Sequence, residues 1–86
     1  MFKFRYCSVS VSVTSADKSW NIVYPVIDGY TVKGFSPLSY GYSTAIIVGI
    51  EWWTDTKIGG FCKSRSSSSY NVNIGSTIMY VNNKYL

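Results

Sequence analysis

Apolar and polar residues alternate with a period of two along much of the chain, and this alternation predicts β-strands. Residues 2–6 read Phe-Lys-Phe-Arg-Tyr, and residues 9–13 alternate valine with serine. The apolar positions are even-numbered in the first segment and odd-numbered in the second. One regular strand would turn these two sets to opposite faces, so we expect either a bulge at Cys7 and Ser8 or two strands that meet there.

Five further segments carry strand signals. The longest is residues 70–81, whose even-numbered positions are mostly Tyr, Val or Ile and are predicted to face the core. Residues 44–52 place an even-numbered apolar set that ends at Trp52 on one face, and they are predicted to form the central strand. A strand bend is predicted at Gly59-Gly60. Turn residues bound the remaining predicted strands, which are residues 20–24, 30–35 and 57–63.

The fold class follows from these segments. No stretch has the 3.6-residue period of an amphipathic helix, and the strong helix formers Ala, Leu, Glu and Gln are rare. Short strands separated by regularly spaced turn signals are typical of antiparallel β-proteins. We therefore predict one all-β domain over residues 1–86, a small antiparallel β-sandwich of jelly-roll type or a barrel, with about six or seven strands.

The composition favours self-association. Of the 86 residues, 47% are hydrophobic and 17% aromatic, whereas only 14% are charged. Globular domains usually have about a quarter of their residues charged, and a domain of this size buries only roughly 60% of the surface that its unfolded chain exposes. We expect a homo-oligomer in which the copies cover part of each other's apolar surface.

The net charge of +4 comes from scattered lysine and arginine residues, which is more typical of solvated faces and guarded sheet edges than of nucleic-acid binding. A nucleic-acid-binding barrel that stacks bases on Tyr and Trp rings nevertheless stays open as an alternative function. The longest apolar run, residues 45–50, is far shorter than the roughly 20 residues of a membrane span. Residues 1–6 lack the apolar core of a signal peptide. We expect no membrane insertion and synthesis in the cytoplasm.

The chain contains no histidine, the most common general base and metal ligand. The two cysteines, Cys7 and Cys62, lack the spacing of a metal site. A disulfide between them is one alternative, but two buried thiols on apolar strands are favoured. A carboxylate pair such as Glu51 and Asp55 could serve a glycosidase, but acids this sparse are more typical of turns. We expect no enzyme activity, no cofactor and no metal site.

Aromatic residues remain as the chain's surplus. The predicted loop 36–43 carries two tyrosines, and two adjacent tryptophans on the next strand must point to opposite faces. Flat amphipathic rings of this kind bind sugars, bases or partner proteins, although in small β-proteins they more often fill a core or an oligomer interface. The predicted ligand-binding surface consists of Tyr40, Tyr42, Trp52 and Trp53.

One family resemblance covers about residues 20–81. Residues 29–35 (GYTVKGF), the apolar strand that follows, the serine-rich loop 64–69 and the closing strand 73–81 resemble the C-terminal receptor-binding head domains of phage tail and fibre proteins. The resemblance implies a compact β-sandwich that assembles as a trimer at a fibre or tail tip of the virion and binds cell-surface glycans. It carries no specific glycan contact over to this chain, because such contacts vary with the receptor.

Two alternatives stay open beside this interpretation. Receptor-binding heads normally end a longer chain, whereas Met1 opens the domain here, so we expect either an excised head or a free-standing virion protein such as a capsid decoration or head-fibre subunit. The other alternative is a small phage-encoded inhibitor that binds a host protein through an exposed sheet edge.

Overall fold

Six β-strands and one short 3-10 helix account for the regular structure of the chain, and the computed structural model describes all residues from 1 to 86. The absence of longer helices agrees with the expectation from the sequence. The elements are β1 (Phe2–Val13), β2 (Lys18–Val23), β3 (Tyr30–Phe35), β4 (Ile46–Trp53), β5 (Lys57–Ser64), β6 (Tyr70–Asn82) and the 3-10 helix (Asn83–Tyr85).

The strands form two three-stranded antiparallel sheets. Sheet A has the order β1-β6-β3, and sheet B has the order β2-β5-β4. The inner faces of the two sheets share one core, so the predicted all-β sandwich is confirmed and the sheets do not close into the alternative barrel. The twelve buried residues of this core are Val11, Val13, Trp20, Ile22, Tyr24, Ile46, Ile58, Cys62, Val72, Ile74, Ile78 and Tyr80.

Strand β6 lies in the middle of sheet A and behaves as its alternation predicts. Its even-numbered residues from Val72 to Tyr80 are all buried. Ser76 is the one polar member of this set, and its hydroxyl donates a 2.7 Å hydrogen bond to the carbonyl oxygen of Ser36. The buried hydroxyl is therefore satisfied, which removes most of the cost of placing it in the core.

The expected break in β1 does not occur. The strand pairs with β6 in one continuous register from Phe2 to Val13, with neither a bulge nor a junction at Cys7 and Ser8. Because the register is unbroken, the two apolar sets lie on opposite faces of sheet A. Val11 and Val13 face the core, whereas the three aromatic residues of the strand, Phe2, Phe4 and Tyr6, face outward and are largely exposed.

The prediction for residues 44–52 is also wrong. Strand β4 is an edge of sheet B, and the central strand is β5. The two glycines of β5 do not bend it but let its neighbours approach. A methyl group on Gly60 would overlap the carbonyl oxygen of Gly49 in β4, and the ring of Trp52 lies over Gly59. The sheet can therefore accept only glycine at the middle of β5.

Sheet A extends beyond sheet B at the end of the molecule that carries Met1. The last residue of β4, Trp53, packs against Phe35, the last residue of β3, so most of β3 lies past the end of sheet B. The inward positions Lys3 and Arg5 of β1 are exposed there. The molecule is accordingly elongated, measuring 50 × 18 × 15 Å.

The cysteines do not form a disulfide, as favoured from the sequence, but the expectation that both thiols are buried is correct only for Cys62. Cys62 is fully buried in sheet B and Cys7 is half-buried in sheet A. Burial raises the pKa of both thiols, with Arg5 opposing the shift at Cys7 and Lys18 opposing it at Cys62. The structure contains no helix with the length and apolar character needed to cross a membrane.

Candidate binding site

The four aromatic residues of the predicted binding surface do not form one cluster. Tyr42 precedes the start of β4 and lies beside Tyr70, the first residue of β6, whereas Trp52 and Trp53 end β4. At about 3.3 Å per residue, the strand separates the tyrosine pair from the tryptophans by roughly 20–25 Å. The loop and the end of β4 are therefore two separate sites.

At the tyrosine end of the predicted surface, the side chains serve to hold the loop in place. Tyr40 is half-buried and packs against the core. Tyr42 has a positive φ of 56°, and its carbonyl oxygen accepts hydrogen bonds from the amides of Ala45 and Ile46. Its ring lies 4.8 Å from the ring of Tyr70, centroid to centroid. These contacts anchor the loop at the start of β4.

Trp52 lies on the outer face of sheet B. A bulge at Glu51 shifts the register of β4 against β5, so Trp52 leaves the face that Ile50 occupies. The indole ring covers Gly59, and the ammonium of Lys57 lies 5.7 Å from its centroid. The adjacent tryptophans do point to opposite faces, as predicted. However, it is Trp53 and not Trp52 that shares the face of Ile50.

Trp53 is the most exposed tryptophan of the chain, with 65% of its surface accessible. Its ring meets that of Phe35 edge-to-face, with the centroids 5.7 Å apart and the planes at 65°. Edge-to-face packing is a favourable geometry for aromatic pairs and holds one side of the indole in place. The remaining surface of the indole is free to contact a ligand.

A cleft of about 250 Å³ opens beside Trp53 at the junction of the two sheets. Phe35 and Val32 of β3 form one wall, and the turn between β4 and β5 forms the other. In that turn the hydroxyl of Thr54 accepts hydrogen bonds of 3.2 Å from the amides of Thr56 and Lys57. The eight lining residues are Tyr24, Val32, Lys33, Gly34, Phe35, Trp53, Thr54 and Asp55.

A second cleft of about 470 Å³ adjoins the first one. It lies under the linker between β2 and β3, and the two clefts share Tyr24, Val32 and Asp55 as lining residues. Together they form one groove along the end of sheet B.

Two charged side chains of opposite sign border the groove. Lys33 occupies the bulge where β3 shifts register against β6, and its side chain is exposed. Asp55 is exposed in the turn after β4 and makes no ion pair, since the only salt bridge of the chain joins Lys63 to Asp17. Both groups are free to exchange hydrogen bonds with a polar ligand.

Tyr24 forms the floor that both clefts share. Its hydroxyl is buried and has no hydrogen-bond partner. Burial raises the pKa of Tyr24, and the nearby Tyr80 and Cys7 raise it further. The phenol is therefore neutral at physiological pH, and the floor of the groove carries no charge.

Sequence reasoning identified Trp53 but missed its partners in the groove. Phe35 and Lys33 come from a strand more than 15 residues earlier in the chain, and only the pairing of the two sheets brings them to Trp53. Asp55 was assigned to a turn, which is correct, but the turn also borders the groove. No three His, Cys, Asp or Glu side chains lie close enough together to hold a metal ion.

Comparison of the chain with known protein families, with curated protein sequences and with solved structures finds no match.

Proposed function

We propose that the protein is a non-enzymatic virion module, the glycan-recognising head of a phage tail or head fibre, and that it binds its receptor in the groove beside Trp53. The proposal combines the resemblance of residues 20–81 to receptor-binding heads with the character of the groove. A homotrimer on the virion presents three copies of the groove to the cell surface.

The observation that carries the proposal is the exposed indole of Trp53 beside the free carboxylate of Asp55. A sugar ring has an apolar face of C–H groups and a rim of hydroxyls. The indole offers a flat apolar surface for the face, while Asp55 accepts hydrogen bonds from hydroxyls and Lys33 donates them. Asp55 is the only carboxylate that lines the groove, whereas glycoside hydrolysis generally uses two, which supports binding without cleavage.

Self-association supplies the affinity that one shallow site lacks. A single sugar site of this kind is expected to bind with a Kd near 1 mM, or about −4 kcal/mol. Linking several sites in one oligomer raises the apparent affinity by roughly 10²–10⁴-fold. The low charge and abundant apolar surface of the chain are in keeping with such an oligomer.

The experiment is a binding assay on arrayed bacterial surface polysaccharides, repeated on whole cells, with the unmodified protein and four variants. Trp53→Ala is expected to weaken binding at least about tenfold, because it removes the ring on which the sugar lies. Asp55→Asn keeps the shape of the side chain and should weaken binding less. Trp52→Ala and Tyr42→Ala are the matched controls, since they remove an exposed ring far from the groove or on the opposite face.

Equal loss in all three alanine variants would contradict the assignment of the groove. If the unmodified protein binds no polysaccharide and no cells, and the chain is found on a capsid shell, the glycan-recognition proposal fails and the capsid-decoration alternative replaces it.

The free edge of β1 favours a second candidate, an inhibitor that binds a host protein by strand addition. The amide of Asn82 donates to the carbonyl oxygen of Met1, so the odd-numbered residues of β1 bond to β6. The backbone groups of even-numbered residues from Phe2 to Ser10 consequently point away from the sheet, as strand addition requires. In this case a host protein captured by the unmodified chain would no longer bind after Ser8→Pro, whereas glycan binding would be unchanged.

A further inference from the structure

The outer face of sheet A carries an uncovered apolar patch at the Met1 end. Phe2, Phe4 and Tyr6 lie on this face with 49%, 63% and 59% of their surfaces exposed. Their cross-strand partners on β6 are Val81, Met79 and Thr77, none of which is charged. Sheet B packs on the opposite side of sheet A, and although Val81 is buried on the outer face, the three aromatic side chains remain exposed there.

The patch has a projecting ring and a hollow side by side. Tyr6 is held flat, since its ring occupies the space above Gly75, where any side chain would overlap it. Phe4 stands beside a cleft of about 320 Å³, which exists because Gly34 contributes no side chain to the face. The residues around this cleft are Phe4, Gly34, Phe35, Ser36, Thr77 and Met79.

The dimensions of ring and cleft suit each other. An apolar cavity of about 150 Å³ is large enough for a benzene ring, so the cleft beside Gly34 has room for one phenyl group from outside. A phenyl group is also what the face itself presents at Phe4. Two copies of the face can therefore exchange rings, each placing Phe4 in the cleft of the other.

The apolar area agrees with that of a specific interface. With roughly 200 Å² for an aromatic side chain, the three exposed fractions leave about 340 Å² of aromatic surface in contact with water. A standard interface buries about 800 Å² per partner, of which somewhat more than half, or roughly 450 Å², is apolar. The three aromatic residues thus provide about three quarters of the apolar area that such an interface needs.

The absence of charge on the outer face of sheet A indicates which kind of partner binds there. The outward positions of β1 and β6 between Phe2 and Ser12 carry no charged side chain. An acidic or basic partner would bury its charges against this face without compensation, which is costly. A second copy of the same face brings no charge and has the matching ring and cleft.

We propose that the outer face of sheet A at the Met1 end is the surface through which copies of this chain associate, with Phe4 of one copy seated beside Gly34 of a neighbour. Mutual exchange of Phe4 between two copies closes about a two-fold axis, whereas one-directional seating of each Phe4 beside Gly34 of the next copy closes at three copies about a three-fold axis, as a homotrimer requires. The inference specifies the surface for the self-association in the proposed function, and it does not depend on glycan recognition.

The test is light scattering coupled to size-exclusion chromatography at about 100 µM protein. The unmodified chain is expected at two or three times the 9.7 kDa of one copy. Phe4→Asp places a charge on the face and is expected at 9.7 kDa. Gly34→Leu fills the cleft and is also expected at 9.7 kDa. A Cβ atom at Gly34 would meet only the Met79 methyl, at 3.6 Å, so the backbone at this position accepts a side chain.

Gly41→Leu and Val26→Asp are the matched controls. Gly41 has open space around it and Val26 is 91% exposed, and neither residue lies on the face, so both variants should assemble as the unmodified chain does. Circular dichroism verifies the fold of every variant. A mass of 9.7 kDa for the unmodified chain, or assembly of folded Phe4→Asp and Gly34→Leu, would overturn the inference.

Failure of this inference and failure of the glycan proposal have different signatures. Trp53→Ala is expected to lose glycan binding and to keep the oligomeric mass. Phe4→Asp is expected to lose the oligomeric mass and to keep weak binding at each groove, because Phe4 does not line it.

Discussion

The stability of the domain depends on Ile74, one of the even-numbered residues of β6 that face the core. Its side chain is completely buried between the two sheets. Ile74→Asp would place a carboxylate there without a partner, at a cost of several kcal/mol, which approaches the whole stability of so small a domain. We expect the variant to be unfolded by circular dichroism or absent from the soluble fraction.

The neighbouring position provides the control for this substitution. Asn73 is exposed on the outer face, so Asn73→Asp introduces the same carboxylate without burying it. Asn73→Asp should fold normally. A folded, soluble Ile74→Asp protein would contradict the inward assignment of the even-numbered residues.

Two buried tyrosines should respond in opposite directions to loss of their hydroxyl. The hydroxyl of Tyr80 donates a 2.6 Å hydrogen bond to the carbonyl oxygen of Pro25, whereas that of Tyr24 has no partner. Tyr80→Phe is expected to lower the free energy of unfolding by about 1 kcal/mol, and Tyr24→Phe to leave it unchanged or raise it by a similar amount. Urea unfolding at pH 7 measures both, and equal destabilisation would contradict the assignment.

The two tyrosines and the buried thiol of Cys62 also make the free energy of unfolding depend on pH in alkaline solution. Burial raises the pKa of Cys62, Tyr24 and Tyr80 above their ordinary values of 9.0 for cysteine and 10.0 for tyrosine. The folded state therefore retains these protons at a pH where the unfolded state has released them. The stabilisation is complete below about pH 9 and is lost as the pH rises above it, and Tyr24→Phe should reduce this loss.

The candidate site could be predicted from sequence only in part. Trp52 and Trp53 were both singled out, because adjacent residues on a strand point to opposite faces and only one of them can join the core beside Ile50. The pairing of Trp53 with Phe35 depends on the bulge at Glu51, which exchanges the faces of Trp52 and Trp53. No turn or glycine signal marks this bulge in the sequence, so the face that each tryptophan would occupy was assigned wrongly.

Among the strands, β5 in the middle of sheet B restricts most strongly which residues its sequence can contain. The backbones of β5 and β4 approach so closely at Gly60 that no side chain fits against the carbonyl oxygen of Gly49. Gly60→Ala is expected to destabilise the domain by roughly 1–3 kcal/mol, because the clash involves backbone and cannot be relieved by a side-chain rotation. Urea unfolding measures the loss.

Gly41→Ala is the matched control for this prediction, since a Cβ atom at Gly41 would meet nothing within 4 Å apart from its chain neighbours. The control should change the stability by less than about 0.5 kcal/mol. Identical unfolding midpoints for Gly60→Ala and the unmodified protein would show that β4 and β5 are farther apart than described here.

The sequence predicted which segments form strands more completely than it predicted how the strands are arranged in the sheets. All six strands were predicted, because alternation and turn residues are local properties. The order within the sheets depends on contacts between distant segments, and the apolar character of β4 wrongly suggested a central position. In β1 the change of parity was interpreted as a break, although a long strand can also carry one apolar set on each face.

For the molecule as a whole, the outward apolar set of β1 is the feature that connects fold and assembly. It lies on the outside of sheet A, whereas the groove lies at the end of sheet B, where the inner faces of the two sheets meet. The cleft beside Phe4 shares Gly34 and Phe35 with the groove, but Trp53 and Asp55 line only the groove, so association through the outer face would leave these two side chains accessible. Self-association and ligand binding can thus occur together on one elongated protomer.

The most direct measurement of ligand binding in the groove uses the three tryptophans as internal reporters. The indole N–H of Trp20 is bonded to the carbonyl oxygen of Phe61 at 2.8 Å in the core, Trp52 lies on the outer face of sheet B, and Trp53 borders the groove. An amide and indole ¹⁵N correlation spectrum is recorded while the strongest-binding polysaccharide from the array is added. The indole signal of Trp53 is expected to shift, with those of Trp20 and Trp52 unchanged. A stationary Trp53 signal at saturating polysaccharide, or equal shifts of Trp52 and Trp53, would contradict glycan recognition in the groove.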